Sequence, residues 1–449
     1  MAWYDEAVFY HIYPLGLLGA PKTNEYKEPV HRLPELLPWI DHIKGLGFTA
    51  LYIGPLFESV GHGYETTDYY KVDSRLGTNE DLKNLVAYCH RNGIRVILDG
   101  VFNHTGRDFF AFKDLKANRE NSPYKDWYCN VNFWNNNSYN DGFSYDNWGG
   151  YDLLVKLNQW NGAVKDYIQN VIRFWVREFD IDGLRLDAAD VLNFDFMKML
   201  RWLADDISRT FHPDFYLMGE VIHGEYHRWV NPEMLHAVTN YHLHKALFSG
   251  HNDHNYFEIA HTVKRLLDMR GGAVTGLYNF VDNHDVERIH TKLNNKAHML
   301  PVHILLYTLP GVPSVYYGSE FGIDGRKERG SDDSLRPALK LEDFSNGQGN
   351  EITALIGKLG QLRKDQPALS YGSYQELSLT TRQYAFARSL DGKSVLITVN
   401  NDDQNAWFNL PDMGWGVYEG VLSGRRIQSD NGRLSMELEA SSGEIWVRV

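Results

Sequence analysis

Thr78-Asn-Glu-Asp-Leu-Lys-Asn-Leu-Val-Ala-Tyr-Cys-His-Arg-Asn-Gly-Ile-Arg-Val-Ile-Leu-Asp-Gly-Val-Phe-Asn-His104 is the stretch on which the fold turns. Thr78 with Asp81 three residues on resembles a capping box. Leu82, Leu85, Val86 and Cys89 recur at helical spacing, and Gly93 supplies the C-terminal stop. Arg95 to Val101 then reads as a strand that is apolar on both faces, which suits a parallel sheet covered by helices.

The same unit repeats in both directions. Val8 to Tyr13 and Thr49 to Ile53 read as strands, with a helix over Leu36 to Leu46 closed by Gly47 between them. Downstream, Val164, Tyr167, Ile168, Val171, Ile172, Trp175, Val176 and Phe179 share one face of a long helix that leads into a strand over Gly183 to Ala188. Further strands are expected at Phe215 to Met218, Ala237 to Tyr241, Leu277 to Val281 and Ser314 to Tyr317. Eight strands alternating with helices predict an α/β fold, a (β/α)8 TIM barrel. The rhythm breaks for about 55 residues after His104, where Asn, Gly and aromatic residues crowd Tyr124 to Tyr151, so an inserted subdomain is expected after strand 3. From about Ala368 the period becomes two, as in Tyr384 to Arg388 and Val395 to Val399 with the hairpin signal Asp391-Gly392 between them, and predicts a C-terminal antiparallel β domain. The expected division is 1–104 and 158–367 for the barrel, 105–157 for the insert and 368–449 for a β-sandwich.

Composition narrows the function. A formal charge of −13 over 449 residues argues against nucleic-acid or anionic-membrane partners and favours a small neutral ligand. Aromatic residues reach 14 %, with 12 Trp and 27 Tyr, an excess that suits a cleft stacking on sugar rings. Cys89 and Cys129 are too few for a disulfide scaffold and sit in no ligand pattern. The N-terminus lacks a basic segment followed by an apolar one, and no run approaches the ~18 apolar residues of a membrane span, so a cytoplasmic protein is expected.

Four segments place ionisable groups at strand ends: Asp99-Gly-Val-Phe-Asn-His104, Gly183-Leu-Arg-Leu-Asp187, Met218-Gly-Glu220 and Phe280-Val-Asp-Asn-His-Asp285. The C-terminal ends of barrel strands are where such folds keep their chemistry. Asp187 and Glu220 follow neighbouring strands, about 4.8 Å apart, a range that suits glycosidic bond cleavage with retention of configuration. Arg185, on the same side of its strand as Asp187, is expected to hold that carboxyl ionised as the nucleophile. The apolar Met218, Val221 and Ile222 are expected to raise the pKa of Glu220, the acid/base. Asp285 is expected to grip sugar hydroxyls as the ring distorts, with His104 and His284 donating to the same ring. Asp99 and Asn103 read as scaffold groups bracing Arg185, and His11, His242 and His244 as ordinary.

These segments resemble the four signature regions of the α-amylase family of glycoside hydrolases. The likeness continues through Gly47-Phe-Thr-Ala-Leu-Tyr-Ile-Gly-Pro55, His62-Gly-Tyr-Glu-Thr-Thr-Asp-Tyr69 and Gly311-Val-Pro-Ser-Val-Tyr-Tyr-Gly-Ser-Glu320, over about residues 7 to 340. The resemblance implies Asp187, Glu220 and Asp285 as the three catalytic carboxylates. It further implies Tyr64 stacked on the sugar at the cleavage point, Arg185, His104 and His284 around that sugar, and Asp332 and Arg336 at the next one. Phe109-Phe-Ala-Phe112, Tyr124 to Trp127, Val155 to Asn158 and Asn240 to Ala246 are similar to the cyclomaltodextrinase, neopullulanase and maltogenic amylase group. The chain departs from that group in starting almost at the first barrel strand, without the usual N-terminal β domain, and in carrying Val-Ile-His223 after Glu220 where a Trp is usual. Residues 188–191 lack the Lys-His pair of many starch-liquefying amylases, and Leu15 to Val30 lacks an alternating Asp/Asn run, so no metal and no cofactor are expected. The expected activity is hydrolysis of α-1,4-glucosidic bonds in maltooligosaccharides or cyclomaltodextrins. The alternatives are a transglycosylase or isomerase of α-glucosides, decided around His223, and a catalytically inactive carbohydrate-binding accessory protein. Oligomeric state is not legible.

Overall fold

The computed structural model describes residues 2–269, 276–344 and 350–449. Its centre is eight parallel strands: β1 (Phe9–Ile12), β2 (Ala50–Ile53), β3 (Arg95–Gly100), β4 (Gly183–Leu186), β5 (Tyr216–Gly219), β6 (Ala237–Val238), β7 (Tyr278–Phe280) and β8 (Val312–Tyr316). They are ordered β6-β5-β4-β3-β2-β1-β8-β7, and a parallel bridge between Thr239 and Tyr278 joins the two edges and closes the barrel. Side chains alternate with the pleat. Phe9, Ala50, Tyr52, Ile97, Tyr216, Met218, Tyr278, Phe280 and Val312 fill the lumen, while Tyr10, Leu51, Val96, Leu98, Leu184 and Leu217 belong to the separate core under the helices.

The expected capping box is present: Thr78 Oγ1 accepts from the Asp81 amide at 3.2 Å and Asp81 Oδ2 accepts from the Thr78 amide at 2.8 Å. The helix it starts runs Asn79–Arg91 and buries Leu82, Leu85, Val86 and Cys89. The helix over Gly162–Phe179 buries the expected stripe, with Trp175 lying flat on Phe57 at 4.1 Å. Three expected strand boundaries shift by two residues or more. The sixth strand stops at Val238, because the Asn240 side chain accepts from the Leu243 amide and starts the helix Tyr241–Asn252. The fourth stops at Leu186, because Ala188 turns left-handed at φ 45°. The eighth starts two residues earlier, at Val312, ahead of Pro313, a residue whose missing N–H hides a strand from sequence reading.

Between β3 and the helix Gly162–Phe179 the insert folds into the helix Phe110–Asn118 and a small antiparallel sheet in which His104–Thr105 pairs with Tyr151–Lys156. C-terminal to the barrel, a six-stranded and a two-stranded antiparallel sheet enclose Ala385, Leu396, Phe408, Leu434, Met436 and Trp446. The other face of the larger sheet packs on the barrel through the helix Met299–Thr308, which is apolar all round because protein covers it on every side. The approach is close: a Cβ on Gly443 would meet Ile304 Cδ1 at 2.8 Å. Among the described residues no helix is long and apolar enough to cross a membrane.

Candidate active site

Inward-facing residues at the C-terminal ends of β3, β4 and β5 converge on one guanidinium. Arg185 lies two residues before Asp187, so both face the lumen, and its Nη1 donates to Asp99 Oδ1 at 2.9 Å and to Asp187 Oδ1 at 2.9 Å. Its Nη2 meets Glu220 Oε2 at 2.9 Å. Leu186 pairs with Gly219, which makes Asp187 and Glu220 the next residues opposite each other in register. The two carboxyls thus hang on the two prongs of one fork. Asp187 Oδ2 and Glu220 Oε1 have no hydrogen-bond partner among the described residues, and each is the oxygen left for a substrate.

Glu220 Oε2 also accepts from the Ala188 amide at 3.0 Å. Ala188 presents that N–H from a left-handed conformation, which costs a residue with a Cβ roughly 1–2 kcal/mol. Nothing in the sequence marks an alanine for this.

A second chain of contacts crosses the mouth. Asp99 Oδ2 accepts from Tyr52 at 2.8 Å and from Tyr64 at 3.2 Å; the Tyr64 hydroxyl meets His284 Nε2, and His284 Nε2 meets Asp285 Oδ2 at 3.0 Å. Asp285 Oδ1 accepts from Arg336 Nη2 at 2.8 Å, and the same nitrogen reaches Asp332 Oδ2 at 3.1 Å. Arg336 is further fixed by the His284 carbonyl at 2.9 Å and lies over the Tyr13 ring at 4.7 Å. Tyr64 is almost parallel to His284, with centroids 5.7 Å apart. Asp187, Glu220, Asp285, Tyr64, Arg185, His284, Asp332 and Arg336 are therefore brought together. His104 is close by but turned: Nε2 donates to the Tyr64 carbonyl at 3.1 Å and Nδ1 accepts from Asn103 at 3.2 Å, so neither nitrogen faces the cleft. Burial pushes its pKa down to about 3, and it stays neutral. His223 is solvent-exposed on the loop beyond Glu220.

Four carboxylates, Asp99, Asp187, Glu220 and Asp285, face two guanidiniums, Arg185 and Arg336. That imbalance decides the protonation. Burial raises the pKa of Glu220 against the pull of Arg185, as the apolar neighbours led one to expect. Asp187 departs from expectation: burial, then Glu220 and Asp99, push it well above the usual carboxylate range despite Arg185. Arg185 divides one charge among three acids, so Asp187 and Glu220 titrate as a coupled pair, both pushed upward by burial. Asp285 is held well below the usual range, because His284, Arg336 and Arg185 together outweigh its burial.

Two aromatic side chains at the site carry no local sequence signal. His11 stacks on Tyr52 at 4.2 Å and meets His284 edge-on at 5.1 Å. Tyr241 accepts from Asn283 at 3.2 Å, in the same field of Glu220 and Asp285. The aromatic group of the insert divides: Phe143 and Tyr145 are buried beside Phe112, Trp148 stands 6.1 Å from the His104 ring and is partly exposed, and Trp134 is 96 % exposed.

No group of three or more His, Cys, Asp or Glu side chains suited to a metal occurs among the described residues. EDTA is expected to leave activity largely intact; complete loss that added metal restores would reveal a site elsewhere in the chain.

A barrel that brings two carboxyls together at adjacent strand ends has the pair of acids that glycosidic bond cleavage needs. The family "Alpha amylase, catalytic domain" matches residues 36–356, and the chain belongs to the α-amylase family of glycoside hydrolases. It is 31 % identical over 436 residues to a cyclomaltodextrinase from Bacillus sp, covering 89 % of this chain and 74 % of that protein. Among solved structures it is similar to a cyclomaltodextrinase, with TM-score 0.88, 27 % identity, and coverage of 99 % of this chain and 78 % of the other. It is also similar to the debranching enzyme of Nostoc punctiforme, with TM-score 0.84, 29 % identity, and coverage of 99 % and 98 %.

Proposed function

We propose that this enzyme hydrolyses α-1,4-glucosidic bonds in short maltooligosaccharides or cyclomaltodextrins, with Asp187 as nucleophile and Glu220 as acid/base. The observation that carries the proposal is the shared fork, Arg185 Nη1 on Asp187 and Nη2 on Glu220, each carboxyl keeping one oxygen unpartnered. With substrate bound, Glu220 Oε1 carries a proton, in keeping with the upward push of burial on its pKa. Asp187 Oδ2 attacks the anomeric carbon, the bond to the leaving oxygen breaks, and that oxygen takes the proton. Water, deprotonated by Glu220, then displaces Asp187 from the same carbon, and two inversions give net retention. Asp285, ionised at neutral pH, binds two sugar hydroxyls and strengthens its hold as positive charge develops on the ring. Tyr64 supplies the floor of that subsite, His284 and Arg336 orient Asp285, His104 fixes the Tyr64 backbone, Asp332 borders the next sugar, and His223 stands on the acceptor side.

The same reading divides the chain into a barrel (1–104 and 158–367), an insert (105–157) and a C-terminal β domain (368–449). It makes the protein a cytoplasmic enzyme for imported oligosaccharides, without nucleic-acid, membrane or metal requirement. On this reading the insert, with Trp148 beside His104, narrows the cleft, which would favour short chains and small rings over swollen polymer.

The test is a product profile on maltotriose, β-cyclodextrin, pullulan and soluble starch. The expected result is kcat/KM several-fold higher on the oligosaccharide or cyclodextrin than on starch at equal glucose-unit concentration. Faster cleavage of starch with a rapid fall in viscosity would contradict the narrowed cleft. The full-length likeness to a debranching enzyme favours a second reading, cleavage of α-1,6 bonds, for which pullulan yielding maltotriose is the sign.

A further inference from the structure

The opposite end of the barrel holds a cavity of about 270 Å³ that the proposed chemistry does not use. Its walls come from residues at the N-terminal ends of β1, β2 and β3, namely Val8, Thr49 and Arg95, from Trp3 and Glu6, and from Arg363, Lys364 and Ser370 on the segment that leads into the C-terminal sheet. Three cations and one carboxylate line it, in a chain whose formal charge is −13.

Arg363 is the unusual member. It is 4 % exposed, and its Nη1 and Nη2 donate to the carbonyls of Tyr307 and Gly311 and to Ser370 Oγ, while its Nε has no partner. It makes no ion pair among the described residues, and neither does the neighbouring, fully buried Arg388, whose Nη groups also end on carbonyls and whose Nε is likewise unpartnered. Burial and Arg388 push the Arg363 pKa down to about 9, the direction a bound anion would reverse. Glu6 in the same lining acts on Arg363 through its field but makes no ion pair with it. A buried guanidinium without a contacting counter-ion is costly, its ordinary remedy being a carboxylate or a phosphate.

The remaining groups fit an anion with a hydroxylated body. Thr49 Oγ1 accepts from the Val8 amide and Ser370 Oγ accepts from Arg363, so both hydroxyl hydrogens are left to donate. Lys364 is exposed at the rim, Arg95 spends Nη1 on Asp182, and the Trp3 ring offers a flat apolar wall. We propose that this cavity is a binding site for a small phosphate-bearing ligand, a hexose phosphate or free phosphate, held by Arg363, Lys364 and Arg95 at the end of the barrel remote from the catalytic cleft. Because its wall includes the connection into the C-terminal sheet, occupancy would tie that sheet to the barrel floor.

Isothermal titration calorimetry on the full chain with inorganic phosphate, glucose 6-phosphate and glucose tests this. Phosphate-bearing ligands are expected to bind with Kd of about 1 mM or tighter, and glucose not to bind at this site. Lys364→Glu is expected to weaken binding about ten-fold or more, and Glu6→Gln to tighten it, since the two rim charges act with opposite sign. Both residues are exposed, so neither change threatens the fold. Tighter binding of glucose 6-phosphate than of phosphate names the ester as the ligand, and equal binding names free phosphate. Absence of binding by either, or binding that Lys364→Glu leaves unchanged, overturns the proposal.

Discussion

Asp187→Asn is expected to lower kcat/KM at least about 10⁴-fold on maltotriose while the protein stays folded. Asparagine keeps the volume and keeps an oxygen where Arg185 Nη1 donates at 2.9 Å, so the fork loses no hydrogen bond. What disappears is the charge that attacks the anomeric carbon. Removing one of four clustered acids also relieves the imbalance with Arg185 and Arg336, so the melting temperature should hold or rise. Circular dichroism melting beside the kinetic assay separates the two effects. Near-normal turnover by a folded variant would remove Asp187 from the mechanism.

Glu220→Gln is expected to cost about 10²–10⁴-fold on maltooligosaccharides, the usual share of proton transfer in such a step. The loss should be uneven. An α-glucosyl fluoride needs little protonation to depart, so the variant should still form the covalent intermediate rapidly and then stall, because no base activates the water. A burst of fluoride release followed by slow turnover is the expected trace. Equal impairment on the fluoride and on maltotriose would show that Glu220 is not the acid.

Local features are the ones legible in the sequence. The Thr78–His104 unit declared itself because a cap, a helical stripe and a buried strand each have a short-range period. The inward alternation of Arg185 and Asp187 is set by the strand's own pleat. Ala188 and His11 were illegible, because each acts through a neighbour distant in sequence: Glu220 for the first, Tyr52 and His284 for the second. The rise in the Asp187 pKa is not legible for the same reason. The i, i+2 spacing reveals the Arg185 pair, but only the closed barrel brings Asp99 and Glu220 onto the same guanidinium. The sixth strand is shorter than its sequence pattern because Asn240 caps the following helix while Thr239 still bridges to Tyr278.

The mass of the Glu220→Gln protein after brief exposure to an α-glucosyl fluoride, followed by peptide mapping, tests the account at its centre. It predicts one glucosyl unit per chain, attached as an ester to Asp187 and absent when Glu220→Gln is combined with Asp187→Asn. No adduct under conditions where fluoride is released, or an adduct on Asp285 or another carboxylate, would contradict it.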